Sequence, residues 1–207
     1  MTPFASLVDS LTALLFELSS LLLVPTLVLL LVFMAGALVM LGGLAREWAE
    51  RRAMAGGWRP FVLGLRTGIG DADGFRSLRL NGYPGRLQRS VRGIENQPRL
   101  MSKCLEDIEL DMARRLGRLS FVTRTGPMLG LVGTLVPLGP ALAALAAGDM
   151  QSLSGNLVIA FTTTVFGIIV GSIAFGTAIV RRCWYEQDMS DLEFVARSLP
   201  AEGANHE

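Results

Sequence analysis

Three stretches of this chain, residues 20–44, 125–148 and 150–180, contain no charged side chain. Backbone amides in hydrocarbon must be satisfied within their own segment, so an open chain crosses a bilayer only as helix. Each run is long enough to cross with some tilt. The expected fold class is therefore an all-α integral membrane protein with three transmembrane helices and helical cytoplasmic extensions. The composition agrees, at 51% hydrophobic residues and a mean hydropathy of +0.45. A soluble domain buries a core without so apolar a composition. For the first run the alternative is a signal peptide, which wants a positive leading region and a shorter apolar stretch. Residues 1–45 hold no Lys or Arg and the apolar run starts late, so a retained helix is expected.

The charges set the topology. Fifteen of the 19 basic residues lie between Arg46 and Arg118, Arg124 sits at the mouth of the second run, and Arg181, Arg182 and Arg197 follow the third. By the positive-inside rule the insert and the tail are cytoplasmic, and the N-terminus and the turn between the second and third runs are outside. The expected organisation is an external amphipathic segment (1–19), a first span (20–44), a cytoplasmic insert (45–118), a second span (119–147), an external hairpin (148–156), a third span (157–180) and a cytoplasmic tail (181–207). Phe4, Leu7, Leu11, Leu14, Leu15 and Leu18, with Asp9 and Glu17, suit a helix lying on the outer surface. A multi-pass membrane protein with its N-terminus outside and its C-terminus in the cytoplasm is therefore expected.

Several chemistries lack their residues. Cys104 and Cys183 both fall in segments assigned to the cytoplasm, so neither a disulfide nor a metal site is expected. His206 is the single histidine, too few for a zinc centre or a catalytic triad. No enzyme, cofactor or metal is expected, and a net charge of +1 gives no field for nucleic acid.

Within the insert, Arg46–Arg52 should continue the first helix. Gly56–Gly85, with Pro60 and Pro84, reads as loop with short helical pieces. Leu105, Ile108, Met112, Leu116 and Leu119 recur at helical spacing and predict a helix over 100–119 that runs into the second span. Gly68–Gly74 superficially resembles a phosphate or calcium loop. It lacks the Lys-Ser/Thr of the first and the ligand spacing of the second, and reads as a turn cluster.

The second and third spans each carry a stripe of small residues. On the second, Pro127, Gly130, Thr134, Pro137 and Ala141 fall on one face; on the third, Ala160, Thr164, Gly167, Gly171 and Ala174 do. Gly126/Gly130 and Gly167/Gly171 are spaced as GxxxG, which lets helices approach closely in lipid. Plain helix packing accounts for such stripes, with threonines bonding back to their own helix. No ionisable side chain lies in either run. Proton relays ordinarily show an intramembrane Asp, Glu or His, so if protons cross here the carboxylate must arrive on another chain.

Gly130-Leu131-Val132-Gly133-Thr134-Leu135 resembles the Gly-rich second-span motif of the MotA/TolQ/ExbB proton-channel family. Ala160-Phe161, Thr164 and Gly167-Ile168 resemble its third-span motif. The likeness is specific over about residues 120–180 and is one of topology elsewhere, closest to the three-span TolQ/ExbB branch. It implies an ion-channel or stator subunit of a motor driven by the proton-motive force, for example one energising outer-membrane transport. It implies a homo-oligomeric, pentameric ring around a single-span ExbD/TolR/MotB-like partner with an intramembrane Asp. The second and third spans would form the inner wall and the first would face lipid.

The resemblance places Thr134 and Thr164 on the ion path, facing that Asp. Thr163, Gly130, Gly133, Pro137, Ala160, Gly167 and Gly171 take secondary pore or packing roles. Departures from the family pattern are the Pro137-Leu138-Gly139-Pro140 run, Ile159 where relatives carry an acid, and three successive threonines at 162–164. A non-energising oligomeric scaffold and a stand-alone small-solute channel are the alternatives.

Overall fold

A computed structural model of the chain describes residues 10, 11, 14, 17, 18, 21–68, 72–91 and 98–198. The predicted surface helix over 1–19 lies largely outside the described residues, as do 199–207 of the tail. Five helices follow the chain order: α1 (Leu23–Arg66), α2 (Ala72–Ser77), α3 (Gly82–Val91), α4 (Pro98–Ala146) and α5 (Met150–Ser198). Among the described residues there is no strand. Helices α1, α4 and α5 are long and apolar enough to cross a membrane. At 44, 49 and 49 residues they far exceed the ~20 that a crossing needs.

Two of these helices override local signals. Helix α1 runs through Gly56, Gly57 and Pro60 to Arg66, where the sequence reads as loop. Trp58 and Val62 on that stretch are buried in a core with Phe75 and Leu87, and this packing outweighs poor propensity. Helix α4 continues through Pro127, Pro137 and Pro140.

Contacts divide the chain into two units. One comprises Met1–Leu41 and Leu119–Gly176, the other Gly42–Arg118 and Thr177–Glu207. In the first, α4 and α5 meet through a turn shorter than the predicted hairpin. Gly148 takes φ +74°. The Asp149 N–H donates to the Ala144 carbonyl (2.9 Å) and the Gly148 N–H to that of Leu145 (3.1 Å), which closes α4 with a Schellman motif. Asp149 then caps α5 by accepting from the Gln151 and Ser152 N–H groups at 3.2 and 3.0 Å. Residues 150–156 are thereby helical rather than loop. Helix α1 reaches α4 where Phe33 meets Phe121 edge-on at 6.5 Å.

The second unit has its own core of Trp58, Val62, Phe75, Leu80, Tyr83, Leu87, Ile108, Met112, Tyr185, Leu192 and Val195. The buried Gln88 amide donates to the carbonyls of Phe75 (2.6 Å) and Leu78 (2.8 Å), pinning the segment between α2 and α3. A Cβ at Gly85 would lie 2.2 Å from the Leu80 oxygen, so only glycine fits.

Candidate functional site

The seam between α4 and α5 is made by glycines. A Cβ on Gly167 would stand 2.7 Å from the Gly130 Cα and 2.8 Å from the Gly126 oxygen. One on Gly171 would stand 2.7 Å from the Pro127 ring, and one on Gly133 would stand 2.6 Å from the Thr163 Cβ. Those separations are far inside carbon van der Waals contact, so the two backbones touch. Gly126 faces Gly171, Gly130 faces Gly167 and Gly133 faces Thr163: stepping forward on α4 steps back on α5, the register of an antiparallel pair.

This register separates the sequence-selected residues. Gly130, Gly133, Thr163, Gly167 and Gly171 lie on the seam, where they hold the two helices of this chain together. Ala160 and Pro137 are buried as well. The Thr163 hydroxyl is buried and donates to the Ile159 and Ala160 carbonyls at 3.0 and 2.9 Å. The sequence stripe had put Thr164 on the face of Ala160 and Gly167; that place belongs to Thr163. Its position four residues before Gly167 was the available signal, and Gly133 opposite it the confirming one.

Thr134 and Thr164 flank the seam. Thr134 follows Gly133 and Thr164 follows Thr163, each turned about 100° onward around its helix. In an antiparallel pair, equal turns in the chain sense bring both side chains to the same edge. Because the helices run in opposite senses, one step on from the Gly133–Thr163 contact carries the two threonines about 3 Å apart along the seam, two residue rises. Both are half-buried within the chain. Each hydroxyl donates backward, from Thr134 to the Leu131 oxygen (2.7 Å) and from Thr164 to the Ala160 oxygen (3.2 Å). Their lone pairs remain open, and rotation about χ1 frees the O–H to donate outward. Phe121, where α1 attaches, lies about 120° the other way round α4 from Gly133. The threonine edge is thus away from that contact, while Thr162 is exposed.

Charge is concentrated in the second unit. The Arg51 guanidinium forks onto Asp188, with one N–H···O distance of 2.8 Å, and also reaches Glu47 at 3.5 Å. Arg181 donates to Glu47 at 3.1 Å. Burial pushes the Asp188 carboxyl above the usual carboxylate range while Arg51 pulls it down. Sequence reasoning missed this network because its partners are 134 and 137 residues apart.

A family model described as the MotA/TolQ/ExbB proton channel family matches residues 85–188, half of the chain, including both sides of the seam. No curated protein and no solved structure matches the chain.

Proposed function

This chain belongs to the MotA/TolQ/ExbB proton channel family, and from that membership we propose that it is the ion-channel or stator subunit of a motor driven by the proton-motive force. It is a multi-pass membrane protein whose own spans supply hydroxyls and no titrating group. The proton-binding carboxylate comes from a single-span ExbD/TolR/MotB-like partner, held inside a ring of five copies. The supporting observation is that Thr134 and Thr164 turn to one edge of the seam, about 3 Å apart along it.

On this reading the two hydroxyls solvate the partner's Asp when it is ionised. A hydroxyl donor offsets part of the cost of burying that charge without competing for the proton. When the Asp is protonated it sits against small and apolar surface at lower cost, which permits relative rotation of ring and partner. Seam glycines keep the two helices in fixed register, so the two hydroxyls hold their spacing as load passes. The chain acts as a machine part and not as an enzyme. It lies in a bacterial or archaeal inner membrane with its N-terminus outside and its basic segments in the cytoplasm.

A scaffold that assembles through its small-residue stripes is disfavoured, because those stripes are occupied within the chain. Proton flux into reconstituted vesicles is the test. Flux is expected with the chain and its partner together, and none with the chain alone. Flux from the chain alone establishes the stand-alone channel instead.

A further inference from the structure

The second unit contains a cavity of about 880 Å³, within the range of small-molecule sites. Eight arginines and five carboxylates line it, an excess of three positive charges. All three tryptophans of the chain, Trp48, Trp58 and Trp184, line it too.

Four of the five carboxylates are already ion-paired, Asp188 with Arg51 among them. Glu47 serves Arg51 and Arg181, Glu50 serves Arg46, and Asp111 is shared by Arg86 and Arg115. Among the described residues no carboxylate pairs with Arg52, Arg59 or Arg89. The Arg52 guanidinium lies 3.7 Å over the Trp48 ring, and that of Arg51 lies 4.9 Å over Trp184. Stacking of this kind holds the Arg52 fork with its N–H edges free to meet an anion, whereas the Arg51 fork is engaged by Asp188 and Glu47 and only its Nε–H is left over.

Two buried N–H donors on the lining, Arg51 Nε and Trp58 Nε1, have no acceptor. Asp191 forms no ion pair among the described residues; it feels the charges of Arg66 and Arg59 at longer range, and it lies beside Trp58 but outside hydrogen-bond geometry. Buried donors in native proteins have partners, so these call for acceptor oxygens. A solvated basic face needs neither orphaned donors nor stacked tryptophans.

We propose that this cavity binds a phosphate monoester dianion. Such a group carries two charges and several acceptor oxygens, and matches arginine forks in geometry. It can arrive as a soluble phosphate compound or as the headgroup of phosphatidic acid.

The test uses the full chain in nanodiscs and reads tryptophan emission, since every reporter lies at the site. One arm titrates inorganic phosphate into phosphatidylcholine discs against chloride at matched ionic strength. The other compares discs with and without phosphatidic acid. A saturable change in the first arm identifies a soluble ligand; a change confined to the second identifies the lipid. In either case the exposed pair Arg59→Gln/Arg89→Gln should weaken binding about tenfold or more. Arg118→Gln, outside the lining, should bind as the parent does. Neither arm responding, chloride acting as well as phosphate, or unchanged affinity in the double variant would each overturn the proposal.

Discussion

Gly130 and Gly167 touch backbone to backbone: a methyl on Gly167 would fall 2.7 Å from the Gly130 Cα. Neither helix has a side chain there that can move aside. In lipid, where apolar surface gains nothing from avoiding water, such close packing is a main source of helix association.

Gly167→Ala should therefore push the helices apart and cost about 1–3 kcal/mol, the range for overpacking. Gly155→Ala and Gly176→Ala meet nothing within 4 Å. They should be neutral or raise stability slightly, since alanine favours helix over glycine. Thermal unfolding in detergent measures all three.

The Gly133–Thr163 contact supports a swap. Gly133→Ala alone clashes with the Thr163 Cβ, 2.6 Å from the new carbon. Adding Thr163→Gly removes that atom and should recover part of the loss, whereas additive costs would mean the two positions do not meet. A double-mutant cycle on melting temperature reads the coupling.

Arg51→Ala should be more damaging than Asp188→Asn, because it leaves the buried Asp188 carboxylate without its fork. About 3–5 kcal/mol is typical for such a break. The pH dependence has a definite sign. Burial raises the folded Asp188 value above the unfolded one, so its titration contributes stability that is present at low pH and lost as pH rises through the folded value. The deficit of Arg51→Ala should shrink as pH falls from neutral toward the ordinary carboxylate range. Melting temperature against pH checks this.

Topology is testable with reporters. Tags after Glu207 and near Gly70 should stay on the cytoplasmic side, and one in the Gly148–Asn156 region should be external. All 19 basic residues lie away from that turn and from the N-terminal segment. External labelling at Gly70 would reverse the orientation.

The three long helices were legible because a charge-free run leaves few alternatives in lipid. The small stripes were legible as stripes. Which residue faced the partner helix was not, because Thr163 and Thr164 differ by only one position and only the register opposite Gly133 decides between them. Helix α1 beyond Gly56 was misread as loop because its glycines and Pro60 outvote the buried Trp58 and Val62 in any local reading. The short turn at Asp149 was hidden among polar residues that cap α5. The ion pairs and the tryptophan-lined cavity join positions far apart in the chain, which no local pattern reveals.

The most direct test of the central claim is proton flux, in vesicles holding the chain with its partner, for Thr134→Val, Thr164→Val and Thr162→Val at matched expression. Valine keeps the shape and removes the hydroxyl. Loss of a donor to a buried carboxylate costs about 1–3 kcal/mol, which slows the cycle roughly tenfold to a hundredfold where the charged state limits it. That loss is expected for Thr134→Val and Thr164→Val, and near-parental flux for Thr162→Val, whose side chain is exposed about 200° around α5 from Thr164. Equal flux in all three, or a larger defect in Thr162→Val, would contradict that claim.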